Sequence, residues 1–95
     1  MNIVEDIKLG KAQLLDVRTK DEWRDGHAKG AIHISINNLL TGYTGDLNPD
    51  LTIYIYCASG GRAGTAESLL KSQGFTATNI GGLSSWINLG GEVTR

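Results

Sequence analysis

The chain has 95 residues and a formal net charge of −1, with 40% hydrophobic and 20% charged residues. This length makes one domain, at residues 1–95, which buries roughly two-thirds of its unfolded surface. Acidic and basic residues are mixed, which argues against nucleic-acid binding and membrane association, and no apolar run is long enough to span a membrane. A single cysteine excludes an internal disulfide and suits a reducing compartment. We therefore expect a cytoplasmic protein, with a monomer favoured.

The first half of the chain is predicted to alternate short helices with short strands. Apolar residues at positions 3, 4 and 7, followed by Gly10, predict a short helix. Residues 13–18 form an apolar run without strict alternation, which indicates a strand covered on both faces. The remaining elements of this half are a helical turn at 21–25 ended by Gly26, a strand at 30–34, and a helix at 36–40 capped by Ser35.

The second half continues the alternation after a surface loop. In order, it comprises a loop at 41–49, a strand at 51–56, a helix from Ala63 to about residue 73, a strand at 75–80 and a helix at 83–89. The whole pattern predicts an α/β sheet with helices on both faces. Ligands of such sheets bind beyond the carboxyl ends of the strands. By this rule Arg18 and Gly81-Gly82 come into range of Cys57.

The strongest chemical signal is the loop in which Cys57 is followed by Ala58-Ser59-Gly60-Gly61-Arg62-Ala63. Adjacent glycines allow positive φ and let several N–H groups turn inward, while the following helix adds its own unpaired N–H groups. An anion is favoured at the centre of such a ring. We therefore expect Cys57 to be a thiolate with a lowered pKa, ringed by amides and accessible to solvent, with Arg62 as a nearby cation.

An inert role for Cys57 is the alternative. A lone cysteine at a strand end is usually a small buried hydrophobe, and a Gly-rich junction can be merely a tight turn. The double glycine and the helix end together favour a nucleophile, because an inert core cysteine needs neither.

Three blocks of the sequence resemble the rhodanese family, whose sulfurtransferase domains carry a persulfide-forming cysteine. Residues 15–34, which include Asp16-Val17-Arg18 and Gly26-His27, resemble its N-terminal signature. Residues 57–63 resemble the active-site pattern C-x-x-G-x-R-S, and Phe75 with residues 81–86 resembles the C-terminal segment that contains two glycines and a tryptophan. The resemblance implies a rhodanese-like α/β fold with a central, mostly parallel sheet of four to five strands and helices on both faces.

The resemblance also implies a reaction. Cys57 would accept a sulfane sulfur from a small anionic donor such as thiosulfate and pass it to cyanide, a thiol or a partner protein, with no metal and no cofactor. The predicted substrate-binding residues are Arg18 and the loop residues Ala58, Ser59, Gly60, Gly61, Arg62 and Ala63. The chain departs from the family where Ala63 replaces the usual serine. It also has little room for the short strand that often precedes the first helix.

The sequence argues against one rival function and leaves a second one open. Phosphatases that share the fold resemble C-x-x-x-x-x-R, whereas only four residues separate Cys57 from Arg62. The shorter loop fits one extra sulfur, and a tetrahedral phosphate needs a wider ring. A non-catalytic or relay module that delivers sulfur to a partner protein, or docks it, stays open because a relay would retain the same residues.

The other polar residues are predicted to be structural. Asp16 is expected to hold its loop together with Arg18, and Glu22 to pair with a nearby cation. His27 and His33 are expected to form structural contacts. The histidines and the cysteine lack the spacing of metal ligands.

Overall fold

A four-stranded parallel sheet lies at the centre of the protein, in the strand order β3-β1-β4-β5. The computed structural model describes residues 2–95. The elements are α1 (Ile3–Lys8), β1 (Ala12–Asp16), α2 (Lys20–Asp25), β2 (His27–Ala28), β3 (Ile32–His33), α3 (Ile36–Leu40), β4 (Thr52–Cys57), α4 (Gly61–Ser72), β5 (Ala77–Gly82), α5 (Leu83–Asn88) and β6 (Val93–Thr94). Strands β2 and β6 form a separate antiparallel pair. The predicted α/β architecture, with a parallel sheet of four to five strands, is present.

The side chains of β4, one of the two inner strands, belong to two core layers on opposite faces of the sheet. Ile53, Ile55 and Cys57 contribute to one hydrophobic cluster, whereas Tyr54 and Tyr56 contribute to the other. This division follows from the two-residue period of a strand. The first cluster contains residues of α3 and α4, and the second contains residues of α1 and α5. Helices therefore cover both faces of the sheet, as the unbroken apolar strands predict.

The strand register gathers three chain segments at one edge of the sheet. Asp16, at the end of β1, pairs with Tyr56, and Cys57, at the end of β4, pairs with Gly82 of β5. An irregularity in the β4–β5 register lies between Ile55 and Tyr56. The loops that follow β1, β4 and β5 therefore begin side by side at the carboxyl edge.

Several element boundaries differ from the prediction. Helix α4 begins at Gly61, two residues before Ala63, because Gly60 already makes the turn with φ 103°. Strand β5 begins at Ala77 and includes both glycines, while β3 is only two residues long. The β2–β6 pair was not predicted. Within residues 2–95, no strand precedes α1.

The helices are short. Helix α4, with 12 residues, is the longest helix among residues 2–95. Across the part of the chain that the structure describes, none combines the length and the apolar composition needed to cross a membrane.

Candidate active site

The loop of residues 57–63, here called the Cys57 loop, surrounds the cysteine sulfur with backbone amides. The amide of Gly60 donates a hydrogen bond to Sγ of Cys57 at 3.0 Å, and the amide of Ala63 donates one at 3.4 Å. Gly60 is left-handed, a conformation that costs glycine no steric penalty. Ala63 lies in the first turn of α4, where amides have no partner within the helix. The predicted inward-facing amides are therefore present.

These amides control the pKa of the Cys57 thiol. Burial raises that pKa, but hydrogen bonds from the backbone amides of Ala63, Ser59, Gly60 and Arg62 lower it by a larger amount, and the net direction is downward. The remaining loop residues, Ala58 and Gly61, are exposed at the rim. The thiolate is stabilised by main-chain dipoles, as in other low-pKa cysteines at helix N-termini.

The rate of alkylation of Cys57 should therefore reach half of its high-pH plateau below pH 9, the ordinary pKa of a cysteine. The rate with iodoacetamide as a function of pH measures this midpoint. The pKa of Cys57 is lower in the folded protein than in the unfolded chain, so the thiolate stabilises the fold fully above about pH 9. This stabilisation is lost as the pH falls through the folded-state pKa. The same protein unfolded in denaturant is the control, and a folded midpoint at or above the unfolded one would contradict the assignment.

The exposure of Cys57 differs from the expectation of an accessible thiol. The residue is only 1% exposed and forms part of the hydrophobic cluster beneath α4. Ala58 and Ser59, directly after it, are exposed. A reactant therefore reaches the sulfur only after its surroundings move, and these two exposed residues are its nearest neighbours in the chain.

Asn79, which the sequence did not single out, clamps the Cys57 loop. Its side-chain amide donates to the carbonyl of Gly60 at 2.9 Å, and its side-chain oxygen accepts from the amide of Gly81 at 2.8 Å. The backbone amide of Asn79 donates in turn to Glu67 on α4. Asn79 thus fixes the peptide unit that follows Gly60 and ties the loop to β5. The signal that the sequence offers is its position two residues before Gly81.

Gly82 permits the loop and β5 to touch. A methyl group at Gly82 would overlap the carbonyl oxygen of Ala58, which is a backbone atom and cannot rotate away. The close approach of the two loops predicted for the double glycine is therefore present, and it depends on the absence of a side chain.

Gly82→Ala should destabilise the protein by about 1–3 kcal/mol, the usual penalty of overpacking, and should slow any reaction at Cys57 because the loop must shift. Chemical denaturation and Cys57 alkylation kinetics measure the two effects. Gly64→Ala is the matched control for stability, since its added methyl would make only ordinary contact, 3.5 Å from Asn79. Equal stability of the two variants would show that the loop tolerates the displacement.

Arg62 does not lie free at the mouth of the loop. Its guanidinium donates to the two oxygens of Glu22 at 2.7 Å and 3.0 Å. The hydrogen bonds of this pair lower the pKa of Glu22 to about 2. The prediction that Glu22 pairs with a nearby cation fits this contact, and the cation is the loop arginine itself.

Arg18 lies in a buried network at the end of β1. Its guanidinium donates to Asp16 through Nε and Nη2, and Nη2 also donates to the carbonyl of Gly26 at 2.7 Å. Tyr56 donates to the same carboxylate at 2.6 Å. Burial favours the neutral guanidine, but the hydrogen bonds to Asp16 prevail and the pKa of Arg18 is raised. Arg18 is only 7% exposed, and its guanidinium holds the loop after β1 in place. It does not offer a free cation to a ligand.

The two histidines are held in a stack. The ring of Trp23 stacks with the rings of both His27 and His33, with centroid distances of 3.4 Å and 4.8 Å. Each histidine also contacts a backbone carbonyl, His27 that of Trp23 and His33 that of Arg18. These contacts give both side chains the structural role expected of them.

Other features of the described chain lie apart from Cys57. Residues 2–95 contain no group of three or more metal-ligating side chains. A cavity of about 350 Å³ lies on the α1–α5 side of the sheet and shares no residue with the Cys57 loop. Its lining comprises Val4, Ile7, Lys8, Lys29, Gly30, Trp86, Gly90 and Glu92.

Comparison with known proteins gives one consistent family. The sequence profile of the rhodanese-like domain matches residues 3–89. The chain is 38% identical over 81 residues to a probable molybdopterin-synthase adenylyltransferase of Porphyra purpurea, covering 83% of this chain but only 21% of that protein. It is 34% identical over 105 residues to thiosulfate sulfurtransferase 16, chloroplastic, of Arabidopsis thaliana, covering 95% of this chain and 86% of that one.

A solved structure agrees. The rhodanese-like domain of a protein from Anabaena superposes with a TM-score of 0.78 at 32% identity, covering 88% of this chain and 99% of that domain.

Proposed function

The chain belongs to the rhodanese-like domain family, and on that premise we propose that it is a sulfurtransferase that carries a sulfane sulfur on Cys57. The observation that carries the proposal is the pair of inward amides, those of Gly60 and Ala63, that bond a single sulfur at the N-terminus of α4. A relative named for thiosulfate sulfur transfer supports the same reaction class.

In the first half-reaction, the Cys57 thiolate attacks the outer sulfur of a donor such as thiosulfate. The S–S bond of thiosulfate breaks, sulfite leaves with the electron pair, and Cys57 becomes a persulfide anion. The amides that hold the thiolate then stabilise the outer sulfur, as donors do in an oxyanion site. No proton has to be moved, because both the nucleophile and the leaving group are anions.

In the second half-reaction, a nucleophile attacks the outer sulfur of the persulfide and restores the thiolate. With cyanide the product is thiocyanate, and in the cell a thiol or a protein takes this role. Two half-reactions that share one covalent intermediate predict ping-pong kinetics. The single cysteine favours a reducing compartment such as the cytoplasm for this cycle.

The arginine geometry argues against phosphatase chemistry. A phosphate-binding arginine must offer its guanidinium to the ligand, whereas both terminal nitrogens of Arg62 are engaged by Glu22. The four-residue spacing between Cys57 and Arg62 points the same way.

A sulfur relay is the second candidate. The match to a stretch covering 21% of a larger adenylyltransferase is consistent with a domain that works beside other protein units. A relay would form the same Cys57 persulfide and differ only in its acceptor, which would be a protein surface instead of a small thiol.

The test is direct observation of the intermediate. Reduced protein incubated with thiosulfate should gain the mass of one sulfur, and cyanide should remove that sulfur as thiocyanate. Faster hydrolysis of an aryl phosphate than release of thiocyanate would favour the phosphatase instead. A persulfide that proteins accept but cyanide and small thiols do not would favour the relay.

A further inference from the structure

The charge next to the Cys57 loop is already compensated. Arg62 belongs to the loop, but its guanidinium faces Glu22 through two short hydrogen bonds of 2.7 Å and 3.0 Å. Arg18, the other arginine at this edge, is paired with Asp16. Neither arginine therefore offers an uncompensated positive charge to an incoming anion.

Glu22 is held in place independently of Arg62. It is the third residue of α2, and its Oε1 accepts from the amide of Thr19 at 3.0 Å and from the hydroxyl of Thr19 at 3.1 Å. The Thr19 hydroxyl in turn accepts from the Glu22 amide, which completes a capping box. The carboxylate is thus fixed by its own helix, and Arg62 comes to it across 40 positions of sequence.

Arg62 is also adjacent to the sulfur site, because the next residue, Ala63, donates its amide to Sγ of Cys57 at 3.4 Å. The hydrogen bond to Glu22 is the main reason that the pKa of Arg62 is raised, and the charge of Cys57 adds to it. Neutralising or freeing the charge of Arg62 therefore changes the electrostatic potential at the sulfur, where the donor must bind. A dianion such as thiosulfate also approaches a thiolate of the same sign, so an uncompensated cation at this place would assist it most.

We propose that Glu22 is a positioning residue that sets the donor preference of Cys57. By neutralising Arg62, it disfavours small dianionic donors such as thiosulfate. The favoured donors are persulfides R–S–SH, which react in their protonated, uncharged form and in which the sulfane sulfur is bound to an uncharged carbon group. This inference rests on the proposed sulfur transfer and refines its substrate class.

The reaction with such a donor balances without an added oxidant or reductant. The Cys57 thiolate attacks the terminal sulfur of R–S–SH, the S–S bond breaks, and R–S⁻ leaves and takes up the proton of the terminal sulfur. The products are the Cys57 persulfide anion and the thiol R–SH. Thiosulfate gives the same enzyme species with sulfite as the leaving group, so the two donors can be compared on one intermediate.

Glu22→Gln is the decisive variant because glutamine keeps the capping box and removes the charge. The second-order rate of sulfur addition to Cys57 is measured by intact mass with thiosulfate and with the persulfide of 2-mercaptoethanol. We expect the rate with thiosulfate to rise about threefold to tenfold, and the rate with the persulfide, which reacts in its uncharged form R–S–SH, to stay within about twofold. The thiosulfate rate of the variant should also fall more steeply with added salt than that of the wild type.

Asp21→Asn is the matched control. Asp21 is the neighbouring carboxylate on the same helix, but it pairs with the exposed Arg24. Its removal changes the net charge equally and should leave the ratio of the two donor rates unchanged. A Glu22→Gln protein with an unchanged ratio, or an Asp21→Asn protein with the same shift, overturns the inference while sulfur transfer stands. If neither donor adds sulfur to the wild type, the proposed function fails and the inference with it.

Discussion

Cys57→Ser is expected to lower the rate of thiocyanate formation by at least about a thousandfold, because in the proposed mechanism this residue supplies the atom that carries the transferred sulfur. A serine hydroxyl is not ionised near neutral pH, and it cannot form the persulfide. Intact mass after incubation with thiosulfate should show no added sulfur on the variant. Thiocyanate release with cyanide as acceptor measures the turnover.

Folding of the variant has to be checked separately, because Cys57 is 1% exposed and lies in the core. The serine oxygen can still accept from the amides of Gly60 and Ala63, so the variant should retain the circular dichroism spectrum of the wild type. Cys57→Ala, which leaves no acceptor for those amides, is the second variant. Turnover that persisted in a folded Cys57→Ser protein would defeat the proposed mechanism.

Asp16→Asn should lower the free energy of unfolding by about 3–5 kcal/mol, the usual effect of removing one partner of a buried ion pair. The carboxylate is fully buried and accepts from the amide and the guanidinium of Arg18 and from the hydroxyl of Tyr56. Asparagine cannot replace the charge, and its amide group presents hydrogens where an acceptor is needed. In a domain of this size the melting temperature should drop by more than about 10 °C.

The prediction has two internal checks. Asp46→Asn, on the exposed loop after α3, removes the same charge and should change stability by less than about 0.5 kcal/mol. Combining Asp16→Leu with Arg18→Met should cost less than the sum of the two single changes, because no unpaired buried charge remains. An Asp16→Asn protein within about 1 kcal/mol of the wild type would show that water or rearrangement compensates Arg18.

The local features of the site could be predicted from sequence because they depend on neighbouring residues. The double glycine after Cys57 and the helix that follows predict inward amides, and the amides of Gly60 and Ala63 do point at the sulfur. The apolar run at 13–18 predicts a strand covered on both faces, and Leu14 and Leu15 of β1 do contribute to opposite clusters. In each case the physical cause lies within a few positions of its effect.

The contacts that complete the site join distant positions. Glu22 and Arg62 are 40 positions apart, and Asn79 reaches Gly60 from 19 positions away. No periodic pattern in the sequence predicts contacts between residues so far apart. The β2–β6 pair could not be predicted because strands of two residues have no alternation to detect. The low exposure of Cys57 depends on how α4 packs on the sheet, which the loop sequence does not specify.

The bonds to the Cys57 sulfur all come from the main chain, and this divides two tasks between different atoms. The ionisation of the sulfur depends on the positions of backbone amides, which most side-chain replacements leave unchanged. The outward side chains of Ala58 and Ser59 meet whatever molecule approaches. In the proposed reaction, acceptor choice can therefore diverge at these two positions, in evolution or by engineering, while the ionisation of Cys57 stays constant.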